Sequence, residues 1–352
     1  MKRHILLIVI MTLAIAGCDK QRDLYVLVSP MVYLEGNWIP SLGTNNMAMN
    51  ATATVYNTTG ESVTKEYFYN QNNVTIPVNK GEYNIMVFNG LMYSPEDTHL
   101  DNITFRGTDR LATFEAVARE TQPNRRLNRA EGEYIASNEM ELLTSAVEKQ
   151  EITASDAYYP KYKDGQNGFD VPSNYVEVEM TATPVAMNYQ CRVLLYINNI
   201  SSAYSASAAL RGFVGSAWMA TRTPTNFYVT HQFNLNSKRM IDADKDRGTI
   251  ESPLFVTFGP PVDAPNNKYE VYIKITLVDN TVFETTVDIT QQVLPVIETI
   301  KNNISGAEPV QHQLNIPIQI DSIDLPKVEP VQGGVGVGDW DDDEIIRVPI
   351  KA

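Results

Sequence analysis

Apolar and polar side chains alternate with period two in short runs along this chain, and turn residues separate the runs. That pattern constrains the fold more than any other feature, because only a pleated strand sends successive side chains to opposite faces. The clearest pair is Tyr269 to Val278 and Thr281 to Ile289. Val271, Ile273, Ile275 and Leu277 share one face of the first strand, and Phe283, Thr285, Val287 and Ile289 share one face of the second. Asp279-Asn280 between them suits the positive φ of a tight hairpin turn. Tyr83, Ile85 and Val87 alternate with Glu82, Asn84 and Met86 after the turn Asn79-Lys80-Gly81. Val176, Val178 and Met180 alternate with Glu177 and Glu179, and Tyr189 to Tyr196 is an apolar strand-like run. Long helical periodicity is almost absent, and Tyr134 to Val147 reads as one short helix or an irregular loop. Many short strands with turns between them predict an all-β chain built of β-sandwiches.

The start of the chain predicts export. Lys2, Arg3 and His4 precede an apolar stretch, Ile5 to Ala16, too short for the roughly 20 residues of a membrane-spanning helix. These are the proportions of a secretory signal. Ile15-Ala16-Gly17-Cys18 closes it and resembles a bacterial lipobox, in which the cysteine thiol is acylated and becomes the new N-terminus. Removal of residues 1–17 leaves about 335 residues, enough for two ordinary domains. The formal charge is −14, and loss of Lys2 and Arg3 makes the mature chain more acidic still. Such a surface repels nucleic acid and anionic headgroups. After lipidation only Cys191 remains, so no internal disulfide is expected, and its apolar context predicts a buried, structural thiol.

Composition divides the mature chain into an N-terminal sandwich over 18–155, a linker over 156–173, a C-terminal sandwich over 174–326 and a tail over 327–352. The linker assignment rests on Asp156 to Gly165, rich in polar residues and exposed tyrosines with Pro160 among them. The tail joins a spacer, Gly333 to Gly338, to an acidic run around Trp340 and a short apolar end, Ile345 to Ile350. Glycines make the spacer flexible, and Pro349 confines the last run to a sheet edge. The glycine series lacks the strand and helix that a phosphate loop needs.

No catalytic signature is found: no HExxH, GxSxG, Walker A or paired CxxC. His99, His231 and His312 have no ligand neighbour at metal spacing. Glu177 and Glu179 share one strand face, as acid–base carboxylates can, but also as the wet face of an antiparallel sheet does. Asp242, Asp244 and Asp246 alternate like the opening of a calcium loop. Arg247 and Pro253 stand where an EF-hand needs glycine and glutamate, and Lys245 offsets charge, so a solvated hairpin turn is the favoured reading. Trp38 and Trp218 are expected in packing, whereas Trp340, on the acidic tail, is a candidate partner contact. No cofactor is expected.

Several segments together resemble the two-domain lipoproteins of Bacteroidales grouped with fimbrillins and fimbrial anchor proteins. They are Cys18; Lys80 to Asn89 with Ile103-Thr104-Phe105 and Thr113 to Ala116; Ala209 to Phe213 leading to Trp218; and Thr257 to Pro261. The resemblance implies two tandem transthyretin-like β-sandwiches and no enzyme activity. It also implies a surface lipoprotein of the outer membrane: an anchor or accessory subunit of a fimbria-like assembly, or a stand-alone adhesin. Partners would be fimbrial subunits or surface glycans. The alternative is a glycan-binding lipoprotein of a polysaccharide-uptake system. Fimbrillin stalk subunits of this kind polymerise after an arginine-specific cut removes their first strand. Here no Arg or Lys lies between Arg22 and Lys65, which favours a subunit that stays anchored. Asp321-Ser322-Ile323 resembles the O-glycosylation sequon of Bacteroidota, making Ser322 a candidate modification site.

Overall fold

The computed structural model describes residues 25–28, 30–38, 50–69, 71–122, 127, 134–137, 139–153, 157–160, 162–163, 166–167, 177–305 and 315–330. Strands dominate, as the alternation predicts, and the all-β sandwich class holds. Contacts divide the chain into two compact units. The smaller takes the described residues of Met1–Leu34, Thr75–Glu82 and Glu151–Met180; the larger takes those of Glu35–Val74, Tyr83–Gln150 and Thr181–Ala352.

In the smaller unit Tyr25–Val28 pairs antiparallel with Ala157–Pro160, and Tyr162–Lys163 pairs with Gln166–Asn167. Residues 156–173, read as a linker from their polar composition, therefore carry short strands. Tyrosines and a lysine that look like open linker in sequence here serve paired backbone.

Among the described residues, two large hydrophobic cores lie between sheets whose strands fall wholly or mainly in the larger unit. In one, Tyr189–Asn198 is central: it pairs with Arg247–Glu251 and Phe255–Thr257 on one side and, in parallel, with Asn315–Asp324 on the other. Facing it is the sheet ordered Val282–Asp288, Glu270–Leu277, Ala203–Val214, Tyr228–Leu235, Ile135–Ala136. Cys191, Val193, Leu195, Ile316, Ile318 and Ile320 from the first sheet meet Leu210, Phe213, Val271, Ile273 and Ile275 from the second, all buried. Each such side chain contributes about 1.5–3 kcal/mol relative to exposure. The Glu270–Leu277 and Val282–Asp288 hairpin turns at Asp279-Asn280, where Asn280 has φ 66°. The Asp279 carboxylate accepts the Thr281 N–H and hydroxyl, and these bonds hold it below the usual carboxylate range. Where Ala203–Val214 bulges, Gly212 has φ +87°, and a Cβ there would lie 2.3 Å from the Lys268 carbonyl oxygen.

One element departs from the expectation of almost no helix. Thr290–Ser305 is a helix of 16 residues with Pro295 inside it. Asp288 accepts the Thr290 N–H at its start, satisfying an orphan donor. Val293, Ile297 and Ile300 make a helical stripe buried in the core. Pro295 removes one intrahelical bond, and tertiary burial outweighs that loss.

The other core lies between two sheets. One is ordered Val185–Ala186, Thr144–Ile152, Gly81–Asn89, Ala51–Asn57, Ser62–Phe68, and the other Thr223–Pro224, Ser216–Trp218, Glu115–Ala118, Ile103–Arg106. Phe88, Phe105 and Phe114 form an edge-to-face triangle with centroids 5.2–5.7 Å apart. Met86, which alternation sets among polar residues, is fully buried, because Gly81–Asn89 is covered on both faces from Ile85 onward. Tyr134 to Val147 is neither a helix nor wholly irregular: it contributes Ile135–Ala136 and the start of Thr144–Ile152. Distant amides replace helical bonds between them. Asn89 donates to the Leu142 carbonyl and accepts from Thr144 N–H; Asn188 donates to the Glu141 carbonyl and accepts from Leu143 N–H.

Candidate functional site

Cys18 and Trp340 lie outside the described residues, as does His312. Asp242, Asp244 and Asp246 sit in the hairpin turn between Ser237–Asp242 and Arg247–Glu251. Asp242 is ion-paired with Lys245 at 3.3 Å, and Asp246 accepts from Ser201 N–H and hydroxyl. Among the described residues no three His, Cys, Asp or Glu side chains gather where they could hold a metal. The turn reading fits this geometry, since two of the three carboxylates are spent on protein partners. Glu179 is exposed on its strand.

Cys191 is fully buried, and burial pushes its thiol up, away from reactivity at neutral pH. His231 is also fully buried, with neither ring nitrogen hydrogen-bonded, and burial lowers its pKa to about 4. It is therefore a neutral core residue, 6.1 Å from the Phe255 ring. Trp38 packs edge-on against Phe68 and is 8% exposed, and Trp218 is half-buried.

Ser322 is exposed, at φ 60°, where the parallel pairing of Asn315–Asp324 with Tyr189–Asn198 shifts register between Leu195 and Ile197. Three residues earlier, the outer edge of the same strand is covered. The Gln292 side chain donates to the Gln319 carbonyl at 2.7 Å and accepts the Gln319 N–H at 3.0 Å. A side-chain amide thus fills a place that an added strand would take. Beyond it Leu325 is buried and Val328 N–H donates to the Ser202 hydroxyl, so the start of the expected tail is docked.

One cluster was not singled out in the sequence. On the edge strand Ser62–Phe68, Phe68 points into the core while Tyr67 and the following Tyr69 lie on the opposite face. Their rings are 5.9 Å apart; Tyr67 is 5.4 Å from Tyr93, and Tyr93 is 5.2 Å from His99. Tyr69 and Tyr93 are 52% and 43% exposed, and His99 is exposed. The loop bearing Tyr93 is pinned by Tyr67 hydroxyl and Lys65 ammonium bonds to the Met92 carbonyl and by Met92 N–H to the Thr52 hydroxyl. Desolvation, a hydrogen bond with Tyr69 and nearby Asp97 hold the Tyr93 phenol above its usual pKa. The available signal was the alternation Lys65-Glu66-Tyr67-Phe68-Tyr69; the partner Tyr93 is supplied only by folding.

A family model described as a domain of unknown function, DUF5119, matches residues 32–234. Comparison with curated proteins finds no match. Among solved structures, a candidate adhesin from Bacteroides ovatus is 13% identical with a TM-score of 0.51, over 85% of this chain and 95% of that one. A candidate adhesin from Bacteroides thetaiotaomicron is 10% identical with a TM-score of 0.50, over 84% and 92%. The fimbrial anchor protein Mfa2 from Porphyromonas gingivalis is 12% identical with a TM-score of 0.40, over 83% and 91%. At the level of fold, the two candidate adhesins agree with the resemblance read from the sequence to Bacteroidales fimbrillin-like proteins.

Proposed function

We propose that this chain, which belongs to the DUF5119 family, is a non-enzymatic surface lipoprotein held at the outer membrane by lipid on Cys18. It acts as an anchor or accessory subunit of a fimbria-like assembly, or as a stand-alone adhesin. The observation that carries this reading is the all-β fold shared with the candidate adhesin from Bacteroides ovatus along 95% of that protein. The lipobox at Cys18 supports the anchor: acyl chains contribute about 0.8 kcal/mol per buried methylene, so two or three hold durably. The scarcity of basic residues before Lys65 supports a subunit that is not trimmed. Partners are fimbrial subunits or surface glycans. O-glycosylation at Ser322 is part of the proposal, supported by the exposed bulge; an intact mass equal to the unmodified lipoprotein removes it.

The test is detergent-phase partition and protease shaving of intact cells, with Cys18→Ser alongside. Wild type is expected in the detergent phase and shaved from outside; the variant is expected soluble or as uncleaved precursor. Equal partition of the two refutes the lipid anchor, and protection from shaving refutes the outward location. The glycan-binding alternative is favoured by one observation, the exposed tyrosine cluster.

A further inference from the structure

The geometry points to a saccharide-stacking site formed by Tyr67, Tyr69, Tyr93 and His99, with neutral oligosaccharides as its ligands. The inference deepens the adhesion reading and rests on it for biological place. Tyr67 and Tyr69 come from one face of an edge strand, and Tyr93 and His99 from the loop folded over it. Centroid spacings of 5.4 and 5.9 Å and interplanar angles of 50° and 46° give a chain of tilted rings. The C–H faces of a pyranose stack on such rings, and neighbouring rings at this spacing present adjacent platforms to successive sugar units. Phenol groups at the rim offer donors and acceptors to sugar hydroxyls, and the Asp97 carboxylate near Tyr93 offers further acceptors.

The site is organised in advance. Tyr93 N–H and Ser94 N–H donate to the Asp97 carbonyl, Asp97 N–H donates to the Ser94 hydroxyl, and His99 N–H donates to the Leu91 carbonyl. A ligand meeting a closed loop does not have to order it, which removes a major cost of binding. Charge decides the sugar class. Lys65 and Arg119 hold the frame of the site, Lys65 donating to the Met92 carbonyl and Arg119 to the carbonyls of Glu96 and Ile103. The Asp97 carboxylate lies close to Tyr93, and the chain as a whole carries a net charge of −14. Sulfated and uronic-acid glycans are therefore disfavoured, and uncharged glycans are accepted.

The test uses the full-length protein in detergent. Saturation-transfer NMR and calorimetry are run with maltohexaose, cellohexaose, xylohexaose and mannohexaose, and with heparin and polygalacturonate hexasaccharides as anionic probes. At least one neutral probe is expected to bind, with saturation arriving from tyrosine rings. Tyr69→Ala and Tyr93→Ala should each weaken it about tenfold, the order of one aromatic contact. Tyr69→Leu, which keeps apolar bulk without a flat ring, should also weaken it, with near-ultraviolet circular dichroism unchanged. Tyr228→Ala, at an exposed tyrosine outside the cluster, should leave binding intact. Three results overturn the inference: no neutral probe bound, binding confined to the anionic probes, or affinity unchanged in the cluster variants. Variants that lose self-association while keeping saccharide affinity also overturn it, making the patch a protein contact. Cell fractionation is independent of these readouts, so failure here leaves the anchor reading standing.

Discussion

Acid should unfold this protein partly through one residue, His231. Its ring is fully buried and neither nitrogen has a hydrogen-bond partner, so the charged form has nothing to replace water. Burial lowers its pKa from 6.5 to about 4. The unfolded chain thus takes a proton near pH 6.5 and the folded chain only near pH 4. Between those values the unfolded state binds more protons, so stability is full above about pH 6.5 and falls as pH drops. The loss reaches about 2 kcal/mol at pH 5 and levels near 3 kcal/mol below pH 4. His231→Leu keeps the volume approximately and removes two unsatisfied nitrogens, so it should also stabilise at neutral pH by about 1–3 kcal/mol. Urea unfolding followed by intrinsic fluorescence at pH 7.5 and 5.0, on wild type and variant in parallel, isolates the effect, because other titrations are common to both. Wild type should lose about 2 kcal/mol more than the variant between the two conditions. Equal losses would refute the reasoning, and a variant less stable at both pH values would show that the imidazole has a partner.

Asn89→Ala should destabilise by about 3 kcal/mol, because it strands the Leu142 carbonyl and the Thr144 N–H in a buried site; a change under about 1 kcal/mol by urea titration would mean that other groups hold this segment. Cys191 should resist a thiol reagent in native protein and react fully in denaturant, and fast native labelling would place it at the surface. Deletion of residues 333–352 should leave the melting temperature nearly unchanged, since a glycine spacer and Pro349 suit a sheet edge better than a core, and should weaken association with partners; a large drop would make the tail part of a core.

The hairpin around Asp279 was legible because every signal in it is local: period two on both strands and a turn whose own side chain closes it. The helix Thr290–Ser305 was not. Its stripe of Val293, Ile297 and Ile300 is regular, but Pro295 and the polar residues around it mask the pattern, and burial against a sandwich supplies what propensity lacks. The segment before Val147 misleads for the opposite reason. Glu139 to Leu143 favours a helix locally, and amides of Asn89 and Asn188, which lie far away in sequence, take over its backbone groups. The tyrosine site combines both cases, with Tyr67 and Tyr69 visible by alternation and Tyr93 brought to them across 26 residues by the fold.

The parallel seating of Asn315–Asp324 sets the order of events in folding. Its isoleucines line the core opposite Leu210, Val271 and Ile273, and Asn198 and Asp324, 126 residues apart, are hydrogen-bonded at its end. Until that strand arrives, Tyr189–Asn198 has an open edge and the core lacks one wall. Contacts of such long range form slowly. The core therefore closes only after the chain through Asp324 is available. Late closure leaves an unpaired strand edge in the interval, and such an edge is open to pairing with other chains until Asn315–Asp324 takes its place.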